Sequence, residues 1–230
     1  MNRERIFILI GFLLALLGLI SLGVTQEWQR RTDAFRAGAP PEEIRKAIIP
    51  KKIEISLLRP PAIRPGDPVR FGSATSFASV IEFGDFECPS CQNLAKTLDE
   101  VTSSFHGRVR LVWRDLPVMD VNPHAMAAAI AARCAGAQGK FWEAHDLLFS
   151  AETLNERTFE RLAPQLHLNG AEYERCRTDQ RVRAAIQEDV DTARGDGIQA
   201  APLLFIGTKA HLGPMNAEEL EREITLFLKS

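Results

Sequence analysis

Two cysteines, Cys88 and Cys91, are separated by Pro-Ser at the end of the segment VIEFGDFECPSC, residues 80–91. A C-x-x-C pair beside a strand–helix junction is typical of a redox-active dithiol. If Cys88 is the N-cap and Pro89 the first helical residue, the sulfur of Cys88 faces unpaired N–H groups and the positive end of the helix dipole. The pattern therefore predicts Cys88 as the attacking residue and Cys91 as the resolving one.

Half of a zinc site and a purely structural disulfide are the alternative interpretations of the C-x-x-C pair. A structural zinc site needs two further ligands, usually a second C-x-x-C or a pair of closely spaced histidines. The five histidines form no such pair, since they are scattered as His106, His124, His145, His167 and His211. The sequence therefore predicts no metal and no other cofactor, and it favours thiol–disulfide chemistry.

A carboxylate, Glu82, lies inside the apolar run that precedes the first cysteine by six positions. Its apolar neighbours indicate a strand that is buried on both faces, so the carboxyl group is expected to be at least partly desolvated. Desolvation raises the pKa of a carboxyl group. Such a group can accept and return the proton that Cys91 loses during exchange. A strand-edge glutamate that points to solvent is the alternative.

Two further acids, Asp85 and Glu87, adjoin Cys88 in a predicted loop. Their negative charges oppose formation of the Cys88 thiolate, whereas the helix dipole favours it. The sequence leaves the balance between the two effects open.

The remaining cysteines, Cys134 and Cys176, lie 42 residues apart in a helical part of the chain. In an oxidising compartment they are expected to bridge two helices, and closing a loop of that size would contribute about 4 kcal/mol. Two buried free thiols are the alternative. Remote cysteines beside a redox pair favour an exported protein.

An uncharged apolar run, IFILIGFLLALLGLISLGV at residues 6–24, follows the N-terminal MNRER. As a helix it would span about 28 Å, close to the ~30 Å hydrocarbon core of a bilayer. We therefore predict an uncleaved transmembrane signal anchor over residues 1–25, with a cleaved signal peptide as the alternative. Positive charges flank the run on both sides, so they leave its orientation undecided. Because the cysteine pattern favours an exported protein, residues 25–230 are predicted to lie outside the cytoplasm.

The rest of the chain has an ordinary globular composition, with 45% hydrophobic and 25% charged residues and a net charge of −2. This charge argues against a nucleic-acid partner. Residues 26–68 are expected to form a linker or stalk with helical pieces, because they end in the proline-rich stretch RPPAIRPGDP. The main domain is predicted over residues 69–230.

Within the main domain the hydrophobic pattern predicts a mixed α/β fold. Strands are expected at 79–84, 109–115 and 202–207, with a short partner at 210–212. A helix is expected from Pro89 to a C-terminal turn at Gly107, and a last helix at 217–228, where Asn216 and Glu219 resemble a capping box. A helical insertion at about 118–196 separates the two halves.

Three stretches resemble DsbA-like thiol–disulfide oxidoreductases when taken in order along the chain. They are VIEFGDFECPSC, then NPHAMAAAIAARCAGAQGKFWEAHDLLF, then GIQAAPLLFIGTKAHLGPMNAEELEREI. The resemblance covers roughly residues 69–229. It implies a thioredoxin-like fold with an inserted α-helical domain, here preceded by the predicted transmembrane helix.

The resemblance also implies roles for individual residues. Cys88 matches the surface nucleophile, Cys91 the buried partner and Glu82 the buried acid. Pro202 matches a cis-proline that packs beside the dithiol and holds the backbone of the substrate, together with Ala201.

Two departures from the family pattern concern redox tuning. The dipeptide Pro89-Ser90 between the cysteines lacks the His of the best-known member, and Ala201 stands where relatives often carry Val or Thr. Both positions are expected to contact substrate and to tune the redox behaviour, so the direction of electron flow is left open.

The resulting hypothesis is a protein thiol–disulfide oxidoreductase tethered to the inner membrane, with its catalytic domain in the periplasm. Reduced or misfolded client proteins would pass electrons to the Cys88–Cys91 disulfide, and a membrane redox partner would reoxidise it. The alternatives are a disulfide reductase or isomerase, and a non-catalytic thioredoxin-fold adaptor that docks through residues 26–58.

Overall fold

A computed structural model describes residues 58–230, so the predicted membrane anchor and most of the predicted linker lie outside the described residues. Within this range, no helix combines the length and the apolarity that crossing a membrane requires. The elements follow the order β1 (Val69–Arg70), β2 (Ala78–Gly84), α1 (Pro89–Ser104), β3 (Val109–Asp115), α2 (Ala125–Gly136), α3 (Phe141–Ser150), α4 (Glu156–Gln165), α5 (Gly170–Arg177), α6 (Gln180–Gly195), β4 (Leu203–Ile206), β5 (Lys209–Leu212) and α7 (Ala217–Leu228).

The five strands form one mixed sheet in the order β1-β3-β2-β4-β5. The central strand β2 is parallel to β3, to which α1 connects it, and antiparallel to β4. Strand β1 pairs antiparallel with β3, and β5 pairs antiparallel with β4. The α/β fold class expected from the sequence is confirmed for the described residues.

One hydrophobic core lies between the sheet and the helices α1 and α7. Alternate residues of a strand face the same side of a sheet, so Val80 contributes to this core together with Leu204 of β4. Leu98 of α1 and Leu220 of α7 pack against them and are fully buried. The helix that begins at the C-x-x-C pair is thereby fixed on the face of β2 that also carries Glu82.

The helices α2 to α6 form the insertion, and a second core lies among them. Trp113 of β3 and Phe86 stack with ring centroids 4.7 Å apart and join this core. The sulfur atoms of Cys134 and Cys176 form a disulfide that connects α2 with α5, as expected for an oxidising compartment.

An ion-pair network connects the insertion with the sheet and with the segment that precedes β1. Asp189 of α6 is fully buried and accepts hydrogen bonds from Arg64, from Arg114 of β3 at 3.0 Å and from Arg133 of α2 at 2.8 Å. Arg114 also donates to Asp67 at 2.7 Å. Residues 64–67 of the predicted linker therefore contact the folded domain.

The predicted bounds of β2 to β5 and of α7 agree with the structure to within about one residue. The insertion, predicted from about residue 118, has its first helix at Ala125, strand β1 is not among the predicted elements, and α1 ends earlier than expected. This helix ends at Ser104, and two successive residues with positive φ follow, His106 at 49° and Gly107 at 81°. The left-handed turn expected at Gly107 therefore begins one residue earlier, at His106, in a conformation that disfavours most side chains.

Candidate dithiol site

The two cysteines occupy the start of α1 as the sequence predicts. Cys88 is the N-cap in an extended conformation and Pro89 is the first helical residue. Cys88 is half-buried, whereas Cys91 lies one turn further along and is fully buried. Both are free thiols. Only Cys88 is therefore accessible to a protein-sized reactant.

Hydrogen bonds lower the pKa of Cys88 to about 6. The largest cause is the Cys91 thiol, which donates to the Cys88 sulfur, and the backbone N–H groups of Cys91 and Ser90 add to it. Burial and the charge of Asp85 act in the opposite direction. The sequence leaves open whether the helix N-terminus or the neighbouring acids dominate. In the structure the net effect is a lowered pKa, which favours the Cys88 thiolate.

The pKa of Cys91 is raised well above that of an ordinary thiol. Its role as hydrogen-bond donor to Cys88 is the largest cause, followed by desolvation and by the charge of Glu82. The two sulfurs therefore differ strongly in proton affinity, so Cys88 is the thiol that ionises first and Cys91 stays protonated.

Replacing Cys91 by alanine is expected to raise the pKa of Cys88 from about 6 toward the ordinary thiol value of about 8.5, because the main donor to the thiolate is removed. The pH dependence of alkylation by iodoacetamide measures this pKa. A Ser90→Ala variant is the matched control, since it retains the backbone N–H group and is expected to leave the pKa unchanged. An unaltered pKa in Cys91→Ala would contradict the assigned cause.

Glu82 lies in the central strand, opposite Trp113 of β3 and Leu204 of β4. It is 1% exposed, so the solvent-facing alternative does not apply. Neither carboxyl oxygen has a hydrogen-bond partner among the described residues. Burial, with smaller contributions from the charges of Cys88 and Asp99, raises the pKa of Glu82 to about 8. At pH 7 the group is therefore mostly a neutral acid.

The peptide bond between Ala201 and Pro202 is cis, which is the geometry that the family resemblance implies. The Cys88 sulfur lies 3.6 Å from the carbonyl oxygen of Ala201, to which it can donate when the thiol is protonated. The fold therefore brings residues 88–91 and 201–202 together, although more than a hundred positions separate them in the chain. Pro202 itself is buried beside the dithiol.

Asp85 has a structural role that the sequence analysis missed. Its carboxylate is 1% exposed and accepts hydrogen bonds at 2.8 Å from three donors: the backbone N–H groups of Glu87 and Val118 and the side-chain amide of Asn122. It therefore holds the loop before Cys88 and the loop after β3 in one arrangement. A local signal was present, because an aspartate that caps the N–H group two residues on forms an Asx turn.

A groove of about 420 Å³ opens directly beside Cys88. The start of α1 and the residues that follow α3, including Glu152, form its walls. Sequence reasoning had no means of finding this groove, because its two sides lie far apart in the chain.

A thiol of lowered pKa at a helix N-terminus, a buried second thiol and an adjacent cis-proline together define a thioredoxin-fold dithiol protein, and the helices α2 to α6 are its insertion. Residues 65–225 match the family model described as thioredoxin, which covers most of the chain. The chain belongs to the thioredoxin family.

Solved structures of similar fold include DsbA-like proteins. A thioredoxin-like oxidoreductase from Silicibacter pomeroyi DSS-3 is 24% identical with a TM-score of 0.66, over 73% of this chain and 95% of that one. DsbA2 of Pseudomonas aeruginosa is 26% identical with a TM-score of 0.60, over 74% of this chain and 98% of that one. The resemblance to the DsbA-like group is confirmed at the level of the fold.

Curated relatives include much longer proteins. The chain is 36% identical over 194 residues to Na(+)/H(+) antiporter NhaA 1 of Salinispora arenicola (strain CNS-205). The match includes 83% of this chain and 29% of the antiporter. The chain thus spans less than a third of this relative, whose name describes the whole antiporter.

Proposed function

We propose that the protein is an extracytoplasmic thiol–disulfide oxidoreductase that donates the Cys88–Cys91 disulfide to reduced client proteins. The arrangement of Cys88 at the start of α1, with the buried Cys91 one turn away and the cis Ala201–Pro202 bond beside it, carries the exchange chemistry, and the lowered pKa of Cys88 supports the oxidant direction. A stabilised thiolate favours the reduced form of the pair, so its disulfide becomes a stronger oxidant. The accessible position of Cys88 beside a groove supports attack by a client rather than by a small thiol alone.

The reaction proceeds in two exchange steps. A client thiolate attacks the Cys88 sulfur, a client–Cys88 disulfide forms, and the Cys88–Cys91 bond breaks. Cys91 leaves as a thiolate and takes the proton of the neutral Glu82 carboxyl group. A second client thiolate then attacks the client sulfur, and Cys88 leaves as its stabilised thiolate. The client loses two electrons, which the dithiol gains.

Four further positions contact the client in this proposal. Ala201 and Pro202 hold its backbone next to Cys88, and Pro89 and Ser90 border the approach to the sulfur. The 3.6 Å distance between the Cys88 sulfur and the Ala201 carbonyl oxygen supports this, because the cis-proline segment lies beside the reacting atom. Glu82 acts as the proton donor and acceptor.

The proposed location is the periplasmic side of the inner membrane, with residues 1–25 as the anchor and residues 26–68 as the stalk. The Cys134–Cys176 disulfide supports an oxidising compartment. Turnover then needs a membrane redox partner that removes the two electrons from the reduced pair. We propose no metal or other cofactor.

A disulfide reductase or isomerase is the second candidate, and one observation favours it. The Cys88 pKa of about 6 is nearer to the value of about 7 in thioredoxin than to about 3.5 in DsbA. The Pro89-Ser90 dipeptide, which lacks a histidine, is consistent with this weaker stabilisation of the thiolate.

The reduction potential of the Cys88–Cys91 pair decides between the two candidates. The full chain is equilibrated in glutathione buffers, with a Cys134→Ser/Cys176→Ser variant as the control for the other sulfurs and Cys88→Ser as the inactive control. DsbA and thioredoxin have potentials of about −120 and −270 mV, and their midpoint is about −195 mV. A potential above the midpoint supports the oxidant, and one below it overturns that proposal in favour of the reductant.

A further inference from the structure

The groove beside Cys88 combines an apolar floor with acidic charge. Its apolar lining consists of Phe86, Pro89, Leu148, Ala151 and Leu154. Its lining also contains two carboxylates and one histidine, His124, but neither lysine nor arginine. We call it the acidic groove. A surface of this kind fits an amphipathic segment with a cationic side chain.

The two carboxylates of the acidic groove differ in how they are held. Glu87 accepts a hydrogen bond from the backbone N–H group of His124 at 2.6 Å, at the start of α2. Glu152 is exposed and, within residues 58–230, has neither a hydrogen-bond partner nor an ion-pair partner for its side chain. The charge of Glu152 is thus available to a bound molecule, whereas part of that of Glu87 is committed to the helix terminus.

The size of the acidic groove limits how far from the reacting cysteine a client side chain can lie and still contact the groove. A compact space of 420 Å³ is about 9 Å across, which is the length of two or three residues of an extended chain. Cys88 and Glu152 both border this space. A client cysteine at the Cys88 sulfur therefore brings the side chain two or three positions away within reach of Glu152.

We propose that the acidic groove binds the client segment next to its reacting cysteine, and that Glu152 selects segments with Lys or Arg two or three residues from that cysteine. This proposal rests on the proposed function, because it assigns a substrate preference to the same dithiol. Attraction between Glu152 and the client's cationic side chain speeds association. Repulsion between Glu152 and an acidic side chain at the same client position slows association.

The test uses the oxidised full chain in a non-ionic detergent and three reduced peptides that differ only in Lys, Gln or Glu two residues from one cysteine. Each rate is divided by the rate of the same peptide with a neutral small disulfide, which removes the effect of the substitution on the peptide thiol itself. We expect a Lys-to-Glu rate ratio of about fivefold, the size of an exposed ion pair, that declines as salt increases.

Charge variants show whether Glu152 causes the preference. Glu152→Gln is expected to lower the ratio clearly toward one, with Glu87 as the remaining carboxylate of the groove, and Glu152→Lys to lower it further. Glu221→Gln, the same change at an exposed position of α7 outside the groove, is expected to leave the ratio as in the wild type. An equal ratio in wild type and Glu152→Gln would overturn the proposal.

The experiment distinguishes a wrong oxidant assignment from a wrong role of the acidic groove in client preference. If the oxidised chain oxidises none of the peptides, the oxidant assignment is wrong. The same peptides are then presented as mixed disulfides to the reduced chain. The acidic groove again predicts that the Lys peptide reacts faster than the Glu peptide and that this preference is smaller in Glu152→Gln. Equal rates for the Lys and Glu peptides in the wild type would overturn it.

Discussion

Replacement of Glu82 by leucine is expected to stabilise the protein by about 3 kcal/mol at pH 7, because the wild type must protonate this carboxyl group in order to fold. The pKa of Glu82 is raised from an ordinary value of 4.5 to about 8. The contribution of this group to stability is therefore fully present below pH 4.5 and is lost as the pH rises through 8. Leucine fills the same buried position and removes this dependence.

Denaturant unfolding at several pH values between 4.5 and 8 measures the effect. The advantage of Glu82→Leu over the wild type should narrow as the pH falls, since both proteins are then uncharged at this position. Glu82→Gln is the control for charge alone, because it keeps the shape of glutamate and cannot titrate. A pH-independent difference between wild type and Glu82→Leu would show that the pKa of Glu82 is not raised.

The same variant is expected to lose activity while it gains stability. Without the buried acid, Cys91 has no proton donor when it leaves as a thiolate. We expect client oxidation to slow on the order of 100-fold, the lower end of the usual range for general acid–base catalysis. If Glu82→Leu is stabilised and its exchange rates are unchanged, Glu82 has no part in the chemistry.

Replacement of Asp189 by alanine is expected to cost about 3–5 kcal/mol of stability, the range for removing one partner of a buried ion pair. The carboxylate is fully buried and is shared by three arginines. The side chain of Arg114 is only 3% exposed, so it cannot recover its lost interaction from water. Loss of Asp189 thus leaves positive charge buried between α6 and the sheet.

Asp191→Ala is the matched control, since Asp191 lies on the exposed side of the same helix and is bonded only to Gln187 among the described residues. Its effect is expected to stay within about 0.5 kcal/mol. Both variants are unfolded in urea with the Cys134–Cys176 disulfide intact. Equal stabilities of Asp189→Ala and Asp191→Ala would show that the network contributes nothing.

The parts of the site that depend on short stretches of chain could be predicted from the sequence. Cys88 as N-cap and Pro89 as first helical residue follow from the steric preferences of proline. The capping box of Asn216 and Glu219 is present as expected, because its two hydrogen bonds join residues three positions apart. The buried carboxylate of Glu82 follows from its apolar neighbours.

Long-range electrostatics could not be predicted in the same way. Asp189 lies 125 positions from Arg64 and 75 from Arg114, and no local pattern indicates such partners. The pKa of Cys88 likewise depends on the hydrogen bond from Cys91 and on the charge of Asp85, which act in opposite directions. These quantities depend on the packed three-dimensional arrangement.

The three donors to Asp85 also impose a constraint on how this sequence can diverge. Two of them are backbone groups, which persist whatever their side chains become, and the third is the side chain of Asn122. A lineage that exchanges Asp85 for an apolar residue must therefore rebuild two loops at once, whereas an exchange of Asn122 removes a single bond. Among relatives, position 85 should therefore vary less than position 122.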